Sequence, residues 1–294
     1  MSALRILHLT DTHLFGDDSR HYGVVNTASQ LAAALAHVSD LAVDLVVVSG
    51  DVSEDGTIES YQRVRQLVGD WAEAHGGRAV FAMGNHDRRE AFRAVLGGGQ
   101  PGTEERLPVG DDPARPVVSV TQHDGWRVVV LDTSVPTRGY GNLEPEQLEF
   151  LRETLAEPAE HGTVIVMHHA PIDAQTDLLQ ALALDPADGD ALVRLIRGSD
   201  VRVVLSGHYH HPVVETIEGI PVVVAPGVAN IARALDDPAE ESAELAFGGA
   251  VVEIRGSRTR VVPFVERIEP ASEVFHLGRE AVAEIIAAVG RPAR

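Results

Sequence analysis

Asp11-Thr12-His13, Gly50-Asp51, Gly84-Asn85-His86-Asp87, His168-His169 and Gly207-His208-Tyr209-His210 are the stretches of this sequence whose residue types could do chemistry. They supply carboxylates, an amide oxygen and imidazoles, donors suited to Mn, Fe, Zn or Ni and poorly matched to copper(I). Taken singly, each fits an ordinary feature: Gly-Asp is a common turn dipeptide, and Asn and Asp beside Gly suit a tight bend. Position sets them apart. Each follows a short apolar run that reads as a strand, and in an α/β sheet ligands gather at the carboxyl ends of parallel strands. Loops far apart in sequence can therefore meet in one pocket.

The elements that must position these loops are legible in outline. Strand-like runs at Arg5–Leu9, Asp44–Ser49 and Ala79–Met83 alternate with helical patterns over Thr27–Val38 and Glu59–Ala74, the first capped by Asn26 or Thr27. This β-α-β-α-β order predicts a layered α/β fold with parallel strands. Further strands are predicted at 117–120, 127–132, 163–167, 201–206, 213–216, 221–225, 250–255 and 258–264. Amphipathic helices are predicted at Glu144–Ala156 and Asp190–Arg197. Strand-dense sequence late in the chain suggests two packed sheets with helices outside. Asp236 to Glu241 reads as an acidic loop, and Val274 to Val289 as a final helix that docks on the body or on a second copy.

Composition removes several function classes. The 294 residues include no cysteine, which excludes disulfides, iron–sulfur clusters, cysteine nucleophiles and thiolate zinc sites. All 24 basic residues are arginine, so Schiff-base chemistry and the lysine of a P-loop are also excluded. A formal charge of −20 opposes nucleic-acid and anionic-membrane surfaces. Apolar runs such as Leu45-Val46-Val47-Val48 are far shorter than the roughly 20 residues of a membrane span. Met1 to Arg5 lacks the apolar stretch of a signal peptide, and a cytoplasmic location is expected.

The joint pattern D-x-H, G-D, G-N-H-D, H and G-H-x-H resembles that of the calcineurin-like metallophosphoesterase superfamily. Within it, the chain is similar to bacterial class III cyclic-nucleotide phosphodiesterases. The likeness is carried by His8 to Leu14, Tyr22-Gly23, Met83 to Asp87, Leu131 to Pro136 and Gly219 to Val222. It runs from about residue 4 to 266, leaving 267–294 as a C-terminal helical segment. The resemblance implies a four-layer αββα sandwich of two mixed sheets. It also implies two metal ions, Mn2+, Fe2+/Fe3+ or Zn2+, sharing a hydroxide that attacks the phosphodiester. Asp11, His13, Asp51 and His210 would hold one ion, and Asp51 would bridge to a second held by Asn85, His168 and His208. His86 would donate a proton to the leaving alkoxide, oriented by Asp87, while Asn85, His86 and Tyr140 would contact substrate. His169 would support the ligands, and no role falls to His21 or His211. A homodimer is implied by the relatives.

A small phosphodiester is the expected substrate, with 3′,5′-cyclic nucleotide (cAMP) first. No arginine cluster stands near the motifs to neutralise a dianion. Glycerophosphodiesters or 2′,3′-cyclic nucleotides are the alternative, and a non-catalytic scaffold of the same fold the third reading. Two departures bear on the choice. The loop Arg138 to Asn142 lacks the histidines and glutamate common in relatives, and Glu54 stands where an aspartate is usual.

Overall fold

Leu45-Val46-Val47-Val48 is apolar at every position, which suits a strand covered on both faces rather than one with a solvated side. The computed structural model, which describes residues 3–100, 105–106, 112, 114–270 and 272–292, places that run in the interior of a sheet with all its residues buried. The chain runs β1 (Ala3–Leu9), α1 (Thr27–His37), β2 (Leu45–Ser49), α2 (Ile58–Ala74), β3 (Arg78–Ala82), α3 (Arg89–Leu96), β4 (Glu105–Arg106), β5 (Ser119–His123), β6 (Trp126–Val130), α4 (Pro145–Thr154) and β7 (Gly162–Val166). It continues α5 (Asp177–Ala181), α6 (Pro186–Ile196), β8 (Val201–Ser206), β9 (Val213–Ile217), β10 (Ile220–Val224), β11 (Ile231–Ala232), β12 (Glu241–Glu244), β13 (Ala246–Arg255), β14 (Arg258–Arg267), β15 (Glu273–Leu277) and α7 (Arg279–Val289).

Two mixed sheets form, ordered β14-β13-β1-β2-β3 and β4-β5-β6-β7-β8-β10-β9, with a small third sheet β11-β12-β15. β1, β2 and β3 are mutually parallel, as are β6, β7, β8 and β10, so each large sheet has a run of carboxyl ends on one side. Alternate strand residues separate into layers, as the pleat requires. Leu7, Val46 and Val48 pack on Leu31, Val64 and Phe92 of the first helix layer. Ile6, Val47 and Val80 meet Val128, Val166 and Leu205 between the sheets. Val129, Ile165 and Val204 pack on Leu151, Leu192 and Ile196 of the opposite helix layer. This is the αββα sandwich expected from the sequence.

Local signals set most boundaries. Asn26 accepts from Ser29 N–H at the start of α1, and Thr57 from Ser60 N–H at the start of α2. α6 begins earlier than periodicity suggests, because Asp185 caps it and Pro186 takes the first turn, where no N–H is needed. Two expectations are corrected. Val274 to Leu277 is strand rather than helix: β15 pairs with β12, a partner that no local pattern reveals, and α7 starts after Gly278. The acidic loop ends at Glu240, since Glu241 opens β12 and is buried. Residues 293–294 of the C-terminal segment, like Met1 and Ser2, lie outside the described residues. Among the described residues no helix is long and apolar enough to cross a membrane.

Candidate active site

The loops after β1, β2, β3, β7 and β8 converge where the two rows of carboxyl ends meet. Backbone hydrogen bonds stitch them together: Asp11 N–H donates to Gly50 O (3.0 Å), His13 N–H to Asp51 O (2.9 Å) and Gly207 N–H to His168 O (2.9 Å). Asp11, His13, Asp51, His208 and His210 all adopt left-handed backbone, with φ of 53°, 44°, 45°, 73° and 53°. Such residues cost about 1–3 kcal/mol each and persist only where their surroundings impose them. The loops leave no spare room. A Cβ on Gly50 would lie 2.4 Å from His168 Nδ1, and one on Gly84 would lie 2.2 Å from Asp51 Oδ1.

The side chains point their donor atoms at one another. His210 Nε2 lies 3.3 Å from Asp11 Oδ1 and 3.3 Å from His13 Nε2. Asp51 Oδ2 lies between the halves, 3.3 Å from His168 Nε2 and 3.7 Å from His13 Nε2. Asn85 Oδ1, His168 Nε2 and His208 Nε2 are buried and make no hydrogen bond. Burying polar atoms without partners is costly, so three together call for a ligand. The outer nitrogens are tied down: His168 Nδ1 to Ser49 O (2.9 Å), His210 Nδ1 to Asn230 Oδ1 (3.0 Å) and His13 Nδ1 to Glu54 Oε2 (2.7 Å). A proton on each Nδ1 leaves the Nε2 lone pair facing inward, the tautomer a metal ligand needs. Burial works to raise Asp51, yet His168, His86 and His13 hold it well below the usual carboxylate range. Burial pulls His208 down to about 3, which keeps that ring neutral. At His168 burial works downward, but the Asp51 charge lifts the ring to about 9, so a cation held at its Nε2 would have to displace a proton. The seven residues named from the sequence, Asp11, His13, Asp51, Asn85, His168, His208 and His210, thus come together as oxygen and imidazole donors that could hold metal ions.

Comparison with known proteins agrees with this geometry: residues 4–212 match the family described as calcineurin-like phosphoesterase. The chain belongs to that family. Among curated relatives, a cAMP/cGMP dual specificity phosphodiesterase of Mycobacterium tuberculosis is 39% identical over 222 residues, 75% of this chain and 66% of that protein. The chain thus spans about two thirds of that relative's length. A 3′,5′-cyclic adenosine monophosphate phosphodiesterase of Pseudomonas aeruginosa is 31% identical over 71% of this chain and 70% of its own. A dimetal phosphatase from Danio rerio superposes with a TM-score of 0.60 at 16% identity, covering 92% of this chain and 98% of that one, and shows the shared fold.

Glu54 is the residue of this chain whose partners the sequence hid. Its Oε2 lies 2.7 Å from His13 Nδ1, 3.0 Å from His86 Nδ1 and 3.5 Å from His21 Nδ1. Burial works to raise this carboxylate, yet hydrogen bonds from His13, His21 and His86 hold it well below its usual range. His21, given no role from the sequence, therefore belongs to the site, with its ring stacked on His13 at 4.6 Å. The only signal for it is the neighbouring Tyr22-Gly23 of the family pattern. Glu54→Ala is expected to lower kcat/KM about 10–100-fold, the usual effect of removing a carboxylate behind a ligating histidine, with weaker metal retention in a chelator titration.

Asp87 does not orient His86, which corrects the expectation. Its carboxylate accepts from the N–H groups of Val52 (3.1 Å), Ser53 (3.0 Å) and Gly84 (2.8 Å) and from Tyr61 O–H (3.0 Å). It is buried at the edge of the groove beside His86 and ties the ends of β2 and β3 together. His86 keeps its place through Glu54 and through its own N–H, which donates to Asp51 Oδ1 (2.9 Å). At His86 burial works downward, but Asp51 and Glu54 raise the ring to about 10. His169 uses both nitrogens, on Thr133 Oγ1 (2.8 Å) and Gly139 O (3.1 Å), and so is not a ligand.

Two openings lead to the cluster and share Glu54, Asn85 and His86. One is a cavity of about 350 Å3 that also reaches Tyr22, Glu241 and Phe275. The other is a groove of about 720 Å3 flanked by Arg88, Arg89 and Arg138. Arg88 and Arg89 directly follow the Gly84 to Asp87 motif, which corrects the expectation that no arginine cluster stands near the motifs; Arg138, 50 positions after Arg88, joins them only through the fold. Tyr140, expected to touch substrate, lines neither opening. Gly139 and Gly141 on either side of it pack inward, a Cβ on Gly141 meeting His169 Cγ at 2.4 Å, and Gly139 takes the place at the cavity wall.

Proposed function

We propose that this chain is a metal-dependent phosphoric diester hydrolase that cleaves 3′,5′-cyclic nucleotides, cAMP first, to nucleoside 5′-monophosphates. The observation that carries the reading is the trio of buried donors that make no hydrogen bond, Asn85 Oδ1, His168 Nε2 and His208 Nε2, gathered at the carboxylate of Asp51, which lies 3.3 Å from His168 Nε2. Oxygen and imidazole donors suit Mn2+, Fe2+/Fe3+ or Zn2+. When bound, a pair of such ions supplies a nucleophile at neutral pH and relieves charge on the phosphate oxygens. The chain's own residues do the rest. Asn85 and His86, which line both openings, flank the place where the phosphate sits. Asp51 and Glu54 keep the His86 ring doubly protonated, so that while Nδ1–H donates to Glu54 the proton on Nε2 is the one that the leaving 3′ oxygen takes as its bond to phosphorus breaks.

The cyclic-nucleotide choice rests on the curated relatives, whose names carry that activity, at 39% and 31% identity. A panel assayed after chelation and controlled reloading with Mn2+, Fe2+ or Zn2+ tests it. Turnover is expected to vanish with chelator, return with metal, and be faster on cAMP than on glycerophosphocholine at equal loading. Equal or faster glycerophosphocholine cleavage would shift the substrate and leave the chemistry in place. A reloaded protein that cleaves neither these nor bis(p-nitrophenyl) phosphate would favour a scaffold. A homodimer and a cytoplasmic location accompany this proposal, checked by light scattering and cell fractionation.

A further inference from the structure

The catalytic cluster lies wholly within residues 4–212, yet one wall of its cavity comes from the far end of the chain. Phe275 and Leu277 of β15 and Ile285 and Val289 of α7 line it, facing Leu178 and Leu182 at α5. Ile285 and Val289 are four residues apart, so they share one helix face, and both are half-buried. The segment is anchored at both ends. β15 pairs with β12 from Leu277 opposite Glu241 to Phe275 opposite Ala243, and Arg279 is paired with Asp237. At the other end Gly139 N–H donates to Val289 O (3.1 Å), Arg138 Nη1 to Ala288 O (2.8 Å) and Arg291 N–H to Ala181 O (3.0 Å). A wall fixed in this way is present before substrate arrives, which favours selective binding.

The character of the wall limits what it can take. Among the described residues no arginine lines this cavity, and away from the metal cluster its wall is Leu178, Leu182, Phe275, Leu277, Ile285 and Val289, with Glu241 the one carboxylate there. Beyond the phosphate position, then, the substrate is uncharged and largely apolar. It is also flat. The ring of His13 stacks on His21 at 4.6 Å, His21 meets Tyr22 edge-on at 4.5 Å, and Tyr22 lies 4.5 Å from Phe275 at a tilt of 34°. This row of rings runs from a metal ligand to the apolar wall, and Tyr22 is 55% exposed, leaving aromatic surface free.

We propose that Tyr22 and Phe275, backed by Ile285 and Val289 of α7, form a nucleobase platform through which the C-terminal segment selects the substrate. The proposal rests on the cyclic-nucleotide reading above and adds the residues that read the base. Phe275→Ala is expected to raise the KM for cAMP about tenfold, in line with the loss of one base-stacking contact, with kcat nearly unchanged. Binding of adenosine 5′-monophosphate, followed calorimetrically without turnover, should weaken by a similar factor. Phe275→Trp should restore both to within about threefold, because the larger ring still stacks. Turnover of methyl p-nitrophenyl phosphate, which carries no base, should match the unaltered protein in each variant. Equal cAMP kinetics in Phe275→Ala, or equal losses on both substrates, would overturn the platform, as would a loss confined to glycerophosphocholine. Failure of the unaltered protein to cleave cAMP, with methyl p-nitrophenyl phosphate still hydrolysed, would instead overturn the cyclic-nucleotide reading itself.

Discussion

Asp51→Asn is expected to lower diester turnover at least about a thousandfold, because the residue that would join the two cations loses its charge, and with it the activated nucleophile. The carboxylate stands 3.3 Å from His168 Nε2 and 3.7 Å from His13 Nε2, so both halves of the cluster depend on it. Asparagine keeps the shape, retains an oxygen that can accept from His86 N–H, and tolerates the left-handed backbone at this position better than most residues. The fold should therefore survive, as judged by an unchanged circular dichroism spectrum. Metal analysis by mass spectrometry is expected to fall from two ions per chain to one or fewer. Two ions retained, together with near-normal turnover, would remove Asp51 from the bridging role.

His86→Ala should separate substrates by their leaving groups. Loss of a positioned proton donor typically slows turnover about 10²–10⁴-fold when the departing oxygen is a poor leaving group, as in cAMP, and far less when it is an activated aryl oxide. Bis(p-nitrophenyl) phosphate should therefore lose little. His86 is not among the seven donors and its side chain is 39% exposed, so metal content and stability should both be preserved. Steady-state kinetics on the two substrates at fixed metal loading make the comparison. A uniform loss across them would contradict proton donation and point to a role in binding alone.

The layered fold was readable because its strands are continuous apolar runs and its first two helices carry their own caps, Asn26 and Thr57. The short elements were not. α5 spans Asp177–Ala181, and β11 only Ile231–Ala232, too little chain to display a period. β15 was hidden for a different reason: a stretch that can follow either a helical or an extended pattern takes the one its neighbours reward, and its partner β12 lies some thirty residues earlier.

Among the site residues, the split follows a physical line. The five donor-bearing stretches and their order along the chain could be read directly, since donor chemistry belongs to the residue type and each stretch sits where a strand ends, while the choice of ligands within them came from the family resemblance. Which groups share those donors could not. Glu54 holds His13, His21 and His86, Asp87 serves the backbone of Val52, Ser53 and Gly84 instead of His86, and Phe275 faces Tyr22 across 253 positions. These pairings have no local signature. They arise only once sheet order and loop packing bring the side chains within a hydrogen bond or a ring contact of one another.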